Sequence, residues 1–218
     1  SRLAFYDELA KRIRIPGVDS VERDTFFDDD KMRSAGIRLN YAPRTTTLSG
    51  VKDGILLELG FDDTAPNRAV TISSWALEFA RDRGVQVLDN RAMNVLCYAP
   101  THTFVEKLQT LSTKYRRLAE AQAFPANFLR HYYDVYCLLD LPEVQAFMKT
   151  SAYQERKVQR FRSGDELVIA KNPAFSLSDP VQRDLFAREY RKSSALYYRG
   201  QPEFDQLLAR IKEHLDSM

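Results

Sequence analysis

The stretches TFVEKL at residues 103–108 and RHYYDVY at residues 130–136 decide the fold of this 218-residue chain. The first opens a run in which apolar side chains recur at helical spacing, namely Phe104, Leu108, Leu111, Tyr115 and Leu118. This period predicts an amphipathic helix that continues to about Ala121. Thr103 and Glu106 match the capping-box pattern, which predicts that the helix begins at this point.

The second stretch places aromatic and ionisable side chains on one predicted helix, which follows a break at Pro125 and covers residues 127–139. Arg130 and Asp134 are four residues apart, so they share a face of the helix. His131 precedes Asp134 by three residues, and its ring can therefore orient the carboxylate. The alternative interpretation of such a cluster is structural, with the charges at the rim of an apolar core.

Before residue 100 the sequence has mostly strand character. After a predicted helix at Leu3–Ile13, alternating or continuous apolar runs predict strands at residues 18–27, 36–41, 55–61, 70–72 and 95–98. A short helix is predicted at residues 75–83, between the last two strands. The run at residues 55–61 is almost continuously apolar, which is typical of a buried strand.

After residue 100 the periodicity is helical. Beyond the two helices already described, helices are predicted at residues 143–148, 153–161, 181–198 and 204–215. The predicted fold class is therefore α+β, with a partial, mixed β-sheet in residues 1–99 and a C-terminal helical bundle in residues 100–218.

The composition is that of an ordinary globular protein. A formal net charge of +2 is too small to indicate nucleic-acid binding by itself. No apolar run is long enough for a membrane span and no signal-peptide core is present, so a cytoplasmic location without membrane attachment is expected. Cys97 and Cys137 lack metal-ligand spacing and are predicted to be buried thiols.

Two single residues also have chemical potential. Glu58 is a carboxylate within the most apolar strand, where burial is costly unless a cation pairs with it, although a half-exposed strand position is the simpler interpretation. Lys107 lies beside the apolar stripe of its helix, and a solvated lysine is again the simpler interpretation.

Other charged runs are predicted to be solvated. The acidic run Asp28–Asp30 falls where a turn is expected, which favours a loop over a metal site. Lys114, Arg116 and Arg117 could follow a phosphate backbone, but a solvated helix face is favoured.

The two stretches, with Leu111 between them, resemble in order and separation the two C-terminal signatures of the AbiEii/AbiGii toxin family of nucleotidyltransferases. Residues 33–41 and 55–60 resemble the middle strands of that family, and residues 185–190 and 200–204 resemble its closing helices. The resemblance covers nearly the whole chain.

The resemblance implies metal-dependent nucleotidyl transfer of the DNA polymerase beta-like type, with Mg²⁺ or Mn²⁺ as cofactor and a nucleoside triphosphate as substrate. Glu58 matches the third metal-binding carboxylate, Lys107 the lysine that holds nucleotide phosphates, and Asp134 the C-terminal acidic residue. These three are the expected catalytic residues, and Arg130 and Tyr133 are expected to support nucleotide binding. Relatives suggest RNA, particularly the tRNA acceptor end, as the acceptor, and a cognate antitoxin as the protein partner.

The chain departs from the family pattern in two respects. It contains no Gly-Gly turn followed by the paired metal-binding aspartates and begins without Met, so it is expected to be N-terminally truncated and inactive alone. A histidine often present after the first stretch is here Ser112, which puts an acid–base role of that position in doubt. The alternatives are a non-catalytic nucleotide- or partner-binding module that retains the fold, and a purely structural helical partner.

Overall fold

The computed structural model describes residues 1–46, 52–120, 124–125, 127–197 and 200–218. The chain forms two compact units, Ser1–Asp63 and Thr64–Met218. Both helices and strands are present, so the predicted α+β class is confirmed. The strands at residues 67–98 belong to the second compact unit. The division into domains after residue 99 stays a prediction.

The first unit is a three-stranded antiparallel sheet with one helix. The helix α1 spans Arg2–Arg12, and the strands β1, β2 and β3 span Ser20–Asp24, Ser34–Asn40 and Ile55–Gly60. They pair in the order β1-β2-β3. Ala10 of α1 packs on Ile37 and Leu39 of β2 to form a small core. Each predicted strand of this unit is therefore present, with the first shortened by a 3₁₀ turn at Thr25–Phe27.

The β3 strand is more exposed than its apolar sequence predicts. Glu58 and Leu57 are exposed, and Leu56 and Leu59 are only half-buried. Because β3 pairs only with β2 among the described residues, it lies at an edge of its sheet. Glu58 is paired in register with Gly36, where a Cβ atom would lie 2.7 Å from the backbone oxygen of Asp24, so no larger residue fits there.

The second unit begins with a two-stranded antiparallel sheet. Strands β4 and β5 span Asn67–Ile72 and Ala92–Tyr98, and helix α2, Trp75–Asp82, connects them. In the described part of the chain the five strands thus form two antiparallel sheets rather than the single mixed sheet that was predicted. The apolar pattern of a strand specifies its faces but not the strand with which it pairs.

The rest of the second unit is helical. Its α-helices are α3, Pro100–Arg116; α4, Arg130–Leu138; α5, Pro142–Met148; α6, Ser151–Arg160; α7, Pro173–Ser176; α8, Pro180–Arg191; and α9, Phe204–Glu213. Short 3₁₀ helices lie at Arg117–Glu120, Ile169–Lys171, Ser194–Leu196 and Leu215–Ser217. No helix of the described residues has the length and apolarity needed to cross a membrane.

An aromatic core holds these helices together. Phe128, Tyr132 and Phe204 each lie edge-on to the ring of Phe186, at centroid distances between 5.7 and 6.3 Å. All four side chains are fully or almost fully buried. The hydroxyl of Tyr132 donates to the backbone oxygen of Ala174 at 2.6 Å, which satisfies the polar atom at the centre of this core.

The start of α3 corrects one prediction. The helix begins at Pro100 after Ala99, where a proline loses no intrahelical hydrogen bond. Thr103 donates instead to the backbone oxygen of Ala99, and Glu106 pairs with arginines of α6, so the predicted capping box is wrong.

The free cysteines correct another. Cys97 is half-buried and Cys137 is exposed, so the prediction of two buried thiols is wrong for Cys137.

Candidate functional site

Lys107 and Asp134 form an ion pair between two neighbouring helices. Phe104, Leu108 and Leu111 of α3 are fully buried, which leaves Lys107 at the edge of the core. Its Nζ lies 2.7 Å from Oδ2 of Asp134 on α4, and the two side chains are 29% and 36% exposed. The structure therefore brings the two predicted catalytic residues of the second unit into direct contact.

Asp134 is held ionised by its neighbours. Its position between the buried residues Tyr132 and Val135 tends to raise its pKa, since burial disfavours the charged form. Interactions with His131 and Lys107 outweigh burial, and the pKa of Asp134 lies below its ordinary value. A carboxylate is thus available in the resting state to orient Lys107.

His131 and Lys114 lie behind this pair. His131 Nδ1 is 3.5 Å from Oδ2 of Asp134, and His131 Nε2 is 3.3 Å from Nζ of Lys114. Burial, which is the largest effect, lowers the pKa of His131, and the positive charges of Lys114 and Lys107 add to it. Burial also lowers the pKa of Lys114. Lys114 therefore takes part in a network and does not simply belong to a solvated face.

A cleft of about 560 Å³ opens beside the Lys107–Asp134 pair. Its lining includes the four predicted residues of the second unit, Lys107, Arg130, Tyr133 and Asp134, together with Leu196, Tyr197 and Gly200. Two cationic side chains and one carboxylate thus face the same space as aromatic rings. Cationic groups can bind phosphates, and aromatic faces can stack on a base.

One aromatic residue of the cleft, Tyr197, was not predicted as part of the site. The ring of Tyr197 lies edge-on to that of Tyr133, with centroids 4.8 Å apart. The sequence prediction extended a helix over residues 181–198, whereas α8 ends at Arg191 and Tyr197 follows the 3₁₀ turn Ser194–Leu196. The resemblance of residues 200–204 to the family indicated that this segment matters, but gave no role for Tyr197.

Glu58 belongs to the first compact unit. It lies with Phe27, Ser34 and Ala35 at a shallow cavity of about 360 Å³. Among the residues that the structure describes, no three histidine, cysteine, aspartate or glutamate side chains are grouped so as to hold a metal ion. The described residues therefore supply Glu58 as a single candidate ligand and not a complete metal site.

The acidic run is tied to arginines. Arg23 donates two hydrogen bonds to Asp28, at 2.7 and 2.8 Å, and Arg33 pairs with Asp29 at 3.0 Å. These contacts give the run a structural role.

Ser112 also has a structural contact. Its buried hydroxyl accepts a hydrogen bond of 2.8 Å from Asn172, an interaction that links α3 to the N-terminus of α7.

A charged cluster connects α3 to α6 on the face beside Lys107. Glu106 accepts from Arg156 at 2.8 Å and pairs with Arg160, and Arg156 also donates to the hydroxyl of Tyr98 at 2.6 Å. These side chains are mostly shielded from solvent. The cluster fixes the helix turn that carries Lys107.

Comparison with known proteins gives one informative result. A family model described as nucleotidyl transferase AbiEii toxin, Type IV TA system, matches residues 2–210. No curated protein and no solved structure gives a significant match. The match spans both compact units and includes every predicted site residue.

Proposed function

Because the chain belongs to the AbiEii family of nucleotidyl transferase toxins, we propose that it transfers a nucleotide from a nucleoside triphosphate to an RNA acceptor. The expected acceptor class is tRNA, at its acceptor end. The observation that carries the proposal is the Lys107–Asp134 pair at the edge of a cleft that also contains Arg130 and Tyr133.

The cleft suits a nucleotide because its chemistry is divided between charge and aromatic surface. Lys107 is a compact point charge that can follow a phosphate group, and Arg130 offers a planar fork of donors for phosphate oxygens. Asp134 holds Lys107 in place until the phosphates displace or share that contact. Tyr133 and Tyr197 supply the apolar surface on which a base or ribose can lie.

The proposed reaction uses Mg²⁺ or Mn²⁺, with Glu58 as a ligand. A divalent ion would neutralise charge at the phosphates and stabilise the pyrophosphate leaving group. The described residues contain no complete set of metal ligands beside Glu58.

The biological setting follows from the same family. Members are toxins of toxin–antitoxin systems, so a cognate antitoxin protein is the proposed partner. We place the activity in the cytoplasm, where nucleoside triphosphates and RNA are found.

The test is incorporation of label from each of the four nucleoside triphosphates into total RNA by the gene product that contains this chain. Incorporation that requires added magnesium or manganese, and that stops with a chelator, is the expected result. Binding of a nucleoside triphosphate without transfer would instead support the alternative of a non-catalytic nucleotide-binding module. The absence of both binding and transfer would contradict the proposal.

A further inference from the structure

His131 lies behind Asp134 in a row of four interacting side chains. Lys114, His131, Asp134 and Lys107 follow one another at 3.3, 3.5 and 2.7 Å. The two outer lysines belong to α3, and the two inner residues belong to α4. The side chain of His131 is 16% exposed. The imidazole thus fills a shielded space between one lysine and the carboxylate that pairs with another.

The contact with Lys114 decides which ring nitrogen of His131 carries the proton. A lysine ammonium has donors and no acceptor, so Nε2 of His131 must accept at 3.3 Å. A neutral imidazole that accepts at Nε2 carries its proton on Nδ1. The lowered pKa of His131 agrees with a neutral ring.

The proton on Nδ1 is directed at Asp134. Nδ1 is buried and has no hydrogen bond of normal geometry among the described residues, and Oδ2 of Asp134 at 3.5 Å is the acceptor within reach. The same oxygen accepts from Lys107 at 2.7 Å. Contacts with both His131 and Lys107 restrict rotation of the Asp134 carboxylate. Hydrogen-bond partners orient the ligands of metal sites in the same way.

We propose that His131 is a positioning residue, fixed as its Nδ1–H tautomer by Lys114, which orients the Asp134 carboxylate and through it Lys107. The role rests on the proposed nucleotidyl transfer, in which Lys107 and Asp134 face the nucleotide. The charged groups around the ring are Lys107 and Lys114 from α3 and Asp134 from its own helix.

The tautomer can be measured without any assay of activity. In the ¹⁵N-histidine-labelled protein, two-bond nitrogen–proton correlations distinguish a protonated Nδ1 from a protonated Nε2. The expected result is a protonated Nδ1 for His131, and a loss of this preference in Lys114→Met. A protonated Nε2 in the unsubstituted protein would overturn the proposal, whether or not transfer is detected.

Three substitutions test the consequence for transfer. The amide nitrogen of Asn can occupy the place of Nδ1, the amide of Gln reaches only the place of Nε2, and Leu replaces neither. We expect His131→Leu and His131→Gln to lower kcat roughly 10- to 100-fold, and His131→Asn to restore most of it. The positioning role would be overturned if all three variants had the kcat of the unsubstituted protein. It would also be overturned if all three lost kcat equally while their thermal unfolding was unchanged.

Discussion

At the scale of single residues, the ionised state of Asp134 decides what the cleft can bind. A half-buried carboxylate without partners would favour its neutral form, and Lys107 would then have no fixed counter-charge. Interactions of Asp134 with His131 and Lys107 keep its carboxylate ionised, and the contact of 2.7 Å with Lys107 holds the ammonium beside the cleft. Charge placement at the site thus depends on two helices and not on either alone.

The mostly shielded ring of His131 predicts how stability depends on pH. Its pKa in the folded state lies below the ordinary value of 6.5, so the unfolded chain binds the proton more readily. The free energy of unfolding should therefore decrease as pH falls from about 6.5 toward the folded-state pKa, and this loss should be smaller in His131→Leu. Urea unfolding of both proteins across this range measures the two slopes. Since His102 also has a lowered pKa and is present in both proteins, parallel curves would contradict the assignment to His131.

At the scale of secondary-structure elements, α3 carries both the core stripe and the charged site. Its buried residues pack on α4, while Glu106 pairs across to Arg156 and Arg160 on α6. The turn with Lys107 is therefore fixed from two sides. A change in α6 can alter the position of Lys107 without touching the cleft.

Removing the charge of Glu106 should destabilise the second compact unit. In Glu106→Gln the two arginines lose a shielded counter-charge, and we expect a loss of about 1–3 kcal/mol in the free energy of unfolding. The matched control is Glu143→Gln, because Glu143 pairs with Arg68 where the two side chains are 40% and 58% exposed. Its expected effect is within about 0.5 kcal/mol. A similar loss in the two variants, measured by denaturant unfolding, would show that the Glu106 cluster has no special role.

The secondary-structure elements show which features of the fold were predictable from the sequence. Helical spacing predicted α3 and placed Arg130, His131 and Asp134 on one face of α4, because these relations are local. The family resemblance named Lys107 and Asp134 as catalytic residues, but their pairing depends on how two helices pack and was not predicted. The exposed position of β3 and the pairing of the strands in two sheets were not predictable from apolar runs, since a strand pattern does not specify its neighbour. Tyr197 escaped prediction because it follows a helix end that periodicity placed too late.

At the scale of the whole molecule, each of the two compact units contains at least one predicted site residue. Lys107, Arg130, Tyr133 and Asp134 belong to the second, largely helical unit, and Glu58 belongs to the first unit. The family match includes both units, so the family relationship does not depend on the helical unit alone. The proposed chemistry requires a nucleotide-binding part and a metal-binding part.

The 218 residues by themselves are predicted to bind a nucleoside triphosphate but not to transfer it. Among the described residues Glu58 has no grouped carboxylate partners, and one carboxylate cannot hold the two divalent ions that transfer of this type uses. Equilibrium binding and label incorporation, measured on the same preparation, separate the two properties. Incorporation of label by these residues alone would refute this prediction.

The proposed requirement for the Lys107–Asp134 pair in nucleotide transfer is tested by the rate of label incorporation into RNA. The rate is measured for the gene product that contains this chain and for its Lys107→Ala and Asp134→Ala variants. Lys149→Ala, an exposed lysine that does not line the cleft, serves as the control. We expect both cleft variants to lose activity by about 100-fold or more while unfolding at the temperature of the unsubstituted protein. Incorporation at the unsubstituted rate in either cleft variant would contradict the proposed requirement.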